Sequence, residues 1–244
     1  MKKSTSTILA LVIVLYMSLG CSQSTFNKKV IGNGSSTTKT LDVGAYDSIE
    51  VKGFMDVHLE KGTEGHITVN TDENIHEHIK VAVKDHTLIL TTKENVTIKS
   101  KIGVHITVPF DSISKVALTG SGNIETKDTI KVNEFSTFVT GSGNIMLAVE
   151  ASDVQAMITG SGNITISGSS SNAKVNLSGS GDFDGFDLAS QNTSVAVSGS
   201  GNAEVVAQKN LVAIVSGSGD VIYKGNPDQK EIKTYGSGDI SSYE

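Results

Sequence analysis

Between Val116 and Ile240 apolar and polar residues alternate in short runs, and the runs recur at a nearly fixed interval. One apolar column reads Leu118, Val139, Ile158, Leu177, Val197 and Val215, then weakens to Thr234. Two residues earlier in each run stand Val116, Thr137, Ala156, Val175, Val195, Ala213 and Ile232. A third column lies beyond a turn signal: Ile124, Ile145, Ile164, Phe183, Ala203, Val221 and Ile240. Strand residues two apart share a face, so each run predicts a strand with one dry side. The positions between them are mostly polar, such as Lys174 and Asn176, and face water. Without any 3.6-residue period, helical repeats are excluded.

The turn signal is a Gly-Ser-Gly tripeptide followed by Asn or Asp. Its glycine pairs are Gly120 and Gly122, Gly141 and Gly143, Gly160 and Gly162, Gly179 and Gly181, Gly199 and Gly201, Gly217 and Gly219, and Gly236 and Gly238. Successive copies are 21, 19, 19, 20, 18 and 19 residues apart. A unit of strand, corner, strand and looser return cannot bury its own apolar face, so the units must stack. Rungs about 4.8 Å apart give a pile of roughly 30 Å with like residues above like. Glycine suits the corners because it reaches positive φ and lets backbones approach. The residue after each tripeptide forms a further column: Asn123, Asn144, Asn163, Asp182, Asn202, Asp220 and Asp239. Turn aspartates of nonapeptide solenoids bind calcium, but here the period is about 19 and four of the seven are neutral amides. A structural ladder capping the turns is the expectation.

Residues 41–110 lack the tripeptide but alternate as strands, for example Ile49-Glu50-Val51, Val57-His58-Leu59 and Leu88-Ile89-Leu90. They read as an N-terminal β-region, continuous with the repeats of 111–244 and capping one end of the stack. Upstream, Lys2 and Lys3 precede an apolar run from Ile8 to Leu19, shorter than the roughly 17–25 residues a membrane-spanning helix needs. Residues 1–20 are therefore expected to be a signal peptide. Cys21 is the single cysteine, so it has no internal disulfide partner, and it sits where a bacterial lipobox places its acylated cysteine. Gly20 fits that motif, whereas Ser18 stands where leucine is usual, and cleavage without acylation is the competing reading. Residues 21–40, rich in Ser, Thr, Asn, Gly and Lys, read as a flexible tether.

Composition changes the picture mainly by exclusion. With 20 Lys+Arg against 26 Asp+Glu the formal charge is −6, so there is no basic footprint for nucleic acid. The chain holds no arginine and no tryptophan, 7 Phe and 5 Tyr, which disfavours an aromatic ligand cleft and removes the bidentate reader of phosphates and carboxylates.

The segment Ile49-Glu50-Val51-Lys52-Gly53-Phe54-Met55-Asp56-Val57-His58-Leu59, then Asp72-Glu73-Asn74-Ile75, then Val83-Lys84-Asp85-His86-Thr87-Leu88-Ile89-Leu90, followed by serial Gly-Ser-Gly turns, resembles the auto-transporter adhesin head GIN domain family. The resemblance runs from Leu41 to the C-terminus. It implies an all-β, right-handed, pectin-lyase-like parallel β-helix, a role in cell adhesion, and no catalytic residues.

All six histidines precede the repeats; His76 and His78 would share a strand face beside Asp72, Glu73 and Glu77, a zinc or copper arrangement, with solvated edge histidines as the plainer reading. The repeated serines lack a G-x-S-x-G context, and no histidine follows His105 to act as their base. Asp182, Asp184 and Asp187 cluster around Phe183 and Phe186 as a glycosidase pair would, but β-helix lyases commonly use arginine or lysine as base, and arginine is missing. The expectation is a non-enzymatic outer-membrane lipoprotein of the cell envelope, with no cofactor and no metal. It is anchored to the membrane through its lipid and displays its solenoid faces to a glycan or protein surface ligand. The alternatives are a periplasmic structural lipoprotein that binds another protein and a polysaccharide-active β-helix enzyme. Charges on the outward faces, as at Lys174, Glu204 and Lys209, protect against edge pairing; a homo-oligomer is compatible with the repeat.

Overall fold

A computed structural model describes residues 27–243. The signal segment, Cys21 and the first tether residues lie outside the described residues. The regular structure of the described chain is strand, apart from a 3-10 turn at His76–His78. β1 (Lys28–Ile31), β2 (Ser36–Asp42), β3 (Ser48–Gly53), β4 (Asp56–Lys61), β5 (His66–Asp72), β6 (Ile79–Lys84), β7 (Thr87–Thr92), β8 (Val96–Lys99) and β9 (His105–Phe110) form the N-terminal part. The repeats comprise β10 (Lys115–Gly120), β11 (Asn123–Lys131), β12 (Glu134–Gly141), β13 (Asn144–Gly160), β14 (Asn163–Gly179), β15 (Phe183–Asp184), β16 (Leu188–Gly199), β17 (Ala203–Val206), β18 (Asn210–Gly217), β19 (Val221–Lys224), β20 (Gln229–Gly236) and β21 (Ile240–Ser242).

The repeats make a parallel β-solenoid. Its first wall runs β10, β12, the second half of β13, the second half of β14, β16, β18 and β20; the second wall runs β11, the first halves of β13 and β14, β15, β17, β19 and β21. Register is like on like: Leu118, Val139, Ile158, Leu177, Val197, Val215 and Thr234 are successive partners. From Leu118 to Val215 this column is at most 3% exposed, so the aliphatic files are dry. In the third column Ile124, Ile145, Ile164, Phe183, Ala203 and Val221 are buried, and only Ile240 is half-buried at the end of the stack. In β13 and β14 the return passes from one wall to the next without a loop, giving continuous strands of 17 residues where the sequence suggested a looser return.

The boundary expected at residue 110 is not a structural one. β3 pairs in parallel with β10 and β4 with β11, so that Gly53 underlies Gly120, and Asp56 underlies Asn123. Gly53-Phe54-Met55-Asp56 is thus one further corner beneath the first Gly-Ser-Gly. Below it the pattern changes direction. β7 and β9 continue the two walls in parallel, whereas β6 pairs antiparallel with β7, β5 with β9 and β2 with β5. The β6–β7 hairpin turns through Asp85 and His86, both at positive φ (47° and 58°), as a two-residue turn matched to strand twist requires.

The tether expected over residues 21–40 is corrected from Asn27 onward. β1 pairs in parallel with β8, and β2 lies antiparallel along β5 from Ser36↔Asp72 to Asp42↔His66. A clasp at Asp72 fixes this segment. Its fully buried carboxylate accepts hydrogen bonds from the Gly34 amide (2.6 Å), the Ser100 hydroxyl (2.5 Å) and the Lys101 amide (3.0 Å), joining three stretches of chain. Any side chain at Gly32 would strike that carboxylate, with an added Cβ 2.3 Å from its carbon.

Candidate functional site

The corners show why two glycines recur. The first of each pair holds positive φ, from 118° at Gly141 to 145° at Gly236, in a region closed to residues with a Cβ. Its carbonyl points along the stack and accepts two amides of the next corner: Ser142 N–H (2.8 Å) and Gly143 N–H (3.0 Å) on Gly120 O, and likewise Ser180 and Gly181 on Gly160 O. The second glycine answers a different demand. A Cβ on Gly181 would lie 1.9 Å from Gly162 O, and one on Gly219 1.9 Å from Gly201 O. Gly120, Gly122, Gly141, Gly143, Gly160, Gly162, Gly179, Gly181, Gly199, Gly201, Gly217, Gly219, Gly236 and Gly238 all meet backbone of the corner below at 2.5 Å or less in this way.

The Asn/Asp column is one hydrogen-bonded ladder on the surface. Asn123 Nδ2 donates to Asp56 Oδ1 (2.7 Å), Asn144 Nδ2 to Asn123 Oδ1 (2.9 Å) and Asn163 Nδ2 to Asn144 Oδ1 (2.9 Å). A carboxylate has no donor, so from Asp182 upward backbone amides carry the ladder, joined at Asn202 by its Nδ2 on Asp182 Oδ1 (3.2 Å). Asp182 N–H donates to Asn163 Oδ1 (2.9 Å), Asn202 N–H to Asp182 Oδ1 (2.8 Å), Asp220 N–H to Asn202 Oδ1 (3.0 Å) and Asp239 N–H to Asp220 Oδ1 (2.8 Å). Below the top, the Oδ1 of each residue accepts from the neighbouring rung, which makes the column a continuous structural ladder.

A second ladder at the opposite end of the first wall was missed in the sequence. Asn172 Nδ2 donates to Asp153 Oδ1 (2.9 Å), Asn192 Nδ2 to Asn172 Oδ1 (2.9 Å) and Asn210 Nδ2 to Asn192 Oδ1 (2.6 Å). The signal was there, since these residues recur at the same interval, but no glycines flag them. They border a shallow groove along the stack floored by Val154 and Ala173 and flanked by Gln155, Lys174 and Ser194. Beside it the outward face of the first wall carries a half-buried column, Ala117, Phe138, Met157, Asn176, Ala196 and Ile214. Next to that runs an exposed hydroxyl column, Thr119, Thr140, Thr159, Ser178, Ser198 and Ser216. A depression at Met157, Leu177 and Val197 runs between the two.

The other candidates separate. His76 and His78 lie on a 3-10 turn, His76–His78, and not on a strand face; His76 meets Thr37 O (3.0 Å) and buried His78 lies 3.3 Å from Glu77. Among the described residues no three His, Cys, Asp or Glu side chains gather as a metal site. Within the acidic cluster the Asp184 carboxylate accepts from the Phe186 amide (3.3 Å) and the Asp182 carboxylate accepts from the Asn202 amide in the ladder (2.8 Å). The Gly-Ser-Gly serines are exposed at the corners.

Two ionisable groups are perturbed for structural reasons. Burial by itself raises the Asp72 carboxyl, but the Ser100 hydroxyl and the amides of Gly34, Lys101 and Ile102 outweigh it and hold the group below the usual carboxylate range. Burial pushes the Tyr46 phenol well above its ordinary value, with the Glu64 carboxylate adding to the rise; its hydroxyl donates to Pro109 O.

No curated protein matches the chain. Among solved structures it is similar to a "putative adhesin" from Bacteroides fragilis (TM-score 0.82, 20% identity, covering 88% of this chain and 100% of that one). A "putative adhesin" from Parabacteroides distasonis is also similar (TM-score 0.72, 26% identity, 88% and 100%). So is a "putative lipid binding protein" from the same species (TM-score 0.75, 24% identity, 89% and 100%). These neighbours share the solenoid. Residues 45–227, which span the corner at Gly53 and most of the Gly-Ser-Gly rungs, match the family described as "Putative auto-transporter adhesin, head GIN domain", and the chain belongs to that family.

Proposed function

We propose that this chain is a non-enzymatic protein of the cell envelope, anchored by a lipid on Cys21, that holds an extended surface polymer, glycan or protein, across successive rungs. The observation that carries this reading is the outward face of the first wall. There, the hydroxyl column from Thr119 to Ser216 runs beside a half-buried column from Ala117 to Ile214 that is apolar except at Asn176. A face repeating about every 4.8 Å suits a repeating ligand, whose affinity grows with each rung engaged. Family membership supports adhesion as the purpose. The position of Cys21 after an apolar leader supports the anchor.

A binding array of glycans and matrix proteins tests it. A polymer is expected to bind more tightly as it lengthens, and Met157→Glu with Ser178→Glu on that face is expected to weaken binding about tenfold or more. Thr165→Glu on the second wall leaves it unchanged. Absence of any polymer ligand, or a site mapping to the second wall, contradicts the proposal. For the anchor, labelled fatty acid enters the wild-type protein and not Cys21→Ala.

A further inference from the structure

The two ends of the stack differ. At the N-terminal end β7 and β9 lie beneath the corner at Gly53, and the antiparallel strands β6, beside β7, and β5 with β2, beside β9, end the parallel register. At the other end, among the described residues, β20 and β21 are paired along one edge only. Residues that are dry one rung earlier are wet here. Ala213 and Val215 are fully buried, whereas Ile232, the next in the Ala213 column, is 43% exposed, and Thr234, next after Val215, is exposed.

The free edge of β20 is a template with a definite parity. Gln229 N–H donates to Lys209 O (3.2 Å), toward the rung below. Peptide groups alternate sides along a strand, so the N–H and C=O groups of Lys230, Ile232 and Thr234 point off the end of the stack. No proline or bulge blunts this edge, and the strand runs eight residues.

We infer that the open end docks a second copy of this chain, β20 against β20 in antiparallel array about a two-fold axis at Ile232. In that register Ile232 faces its own equivalent, and Lys230 faces Thr234 of the other copy. These are the residues whose peptide groups point outward, so they form hydrogen-bonded pairs. On the outer face Glu231 of each copy lies opposite Lys233 of the other. The two side chains already form an ion pair within one chain (2.7 Å), and the dimer sets two such pairs in alternation.

The same charges oppose the other arrangement. Parallel continuation in the solenoid's own like-on-like register sets lysine on lysine and glutamate on glutamate. Head-to-tail growth finds no matching rung at the N-terminal end, where the outermost strands β6 and β2 run antiparallel to their neighbours. The interface is therefore isologous and closed, giving a dimer and not a fibre.

Sedimentation of the full chain over a dilution series reads the outcome. The wild type is expected to dimerise reversibly. Glu231→Lys weakens the dimer about tenfold or more, and the double variant Glu231→Lys with Lys233→Glu restores it. Ile232→Pro abolishes the dimer without lowering the unfolding midpoint appreciably, because the amide it removes faces away from β18. A chain that is monomeric throughout, a dimer indifferent to the charge reversal, or an open-ended filament overturns the inference.

Discussion

The corner at Gly53 and the corners above it have the same path but different residues, and the contrast separates two demands that the Gly-Ser-Gly motif merges. Gly53 keeps the positive φ (129°) of the other first glycines, yet an added Cβ would meet nothing closer than Met55 at 3.7 Å. Met55 stands where every later corner has its second glycine, and its side chain is fully buried. Positive φ is thus needed by the turn itself. The second glycine is needed only where another corner lies directly beneath it.

That distinction can be broken most severely in mid-stack. Gly181→Ala drives a Cβ into Gly162 O and is expected to cost about 4 kcal/mol, among the largest single-residue effects, or to prevent folding. Gly53→Ala meets only the backbone penalty, about 1–3 kcal/mol. Denaturant midpoints of the two variants compare them directly, and equal losses would remove the distinction. Met55→Ala, which empties a dry site at the base, is expected to cost about 3 kcal/mol by the same measurement.

Acid sharpens the comparison at the cap. The Asp72 carboxyl titrates lower in the folded protein than in the unfolded chain, where its pKa is about 3.9. Its stabilisation is therefore complete above that value and is lost as pH falls through the lower folded value. Amide exchange in β1 and β2 is expected to rise in that acid window while the mid-stack rungs stay protected. Asp72→Asn raises exchange there at neutral pH and flattens the pH dependence.

Smaller effects probe the repeats. Thr137 sits in the inward column between Val116 and Ala156, fully buried, with its hydroxyl lacking a partner. Thr137→Val is expected to stabilise by about 1 kcal/mol. Asn163→Ala removes a surface rung of the ladder and is expected to cost about 0.5 kcal/mol.

The rungs were legible because stacking writes one requirement at one interval: apolar at Val139, Ile158 and Leu177, glycine at Gly143, Gly162 and Gly181. The corner at Gly53 was not, since nothing in Phe54-Met55-Asp56 repeats the tripeptide. Residues 36–40 of β2 fall in the expected tether for a related reason. Ser-Thr-Thr-Lys-Thr-Leu-Asp is exposed along nearly its whole length, so no apolar alternation marks a strand whose order comes from β5. His76 and His78 looked like a shared strand face only because a 3-10 turn of three residues leaves no periodic trace. The second amide ladder could have been found from Asp153, Asn172, Asn192 and Asn210 by the same arithmetic that found the first. The outward face of the first wall is harder to read, since its columns differ from ordinary solvated positions only in the row they form once folded.

Pairs of spin labels on the exposed hydroxyl column measure the stacking itself, in a Cys21→Ser background. Thr119 and Ser178 are three rungs apart and Thr119 and Ser216 five. Parallel rungs place their backbones about 14 Å and about 24 Å apart, a constant increment per rung. Distances that fail to grow with the number of intervening Gly-Ser-Gly corners would contradict the stack and everything built on it.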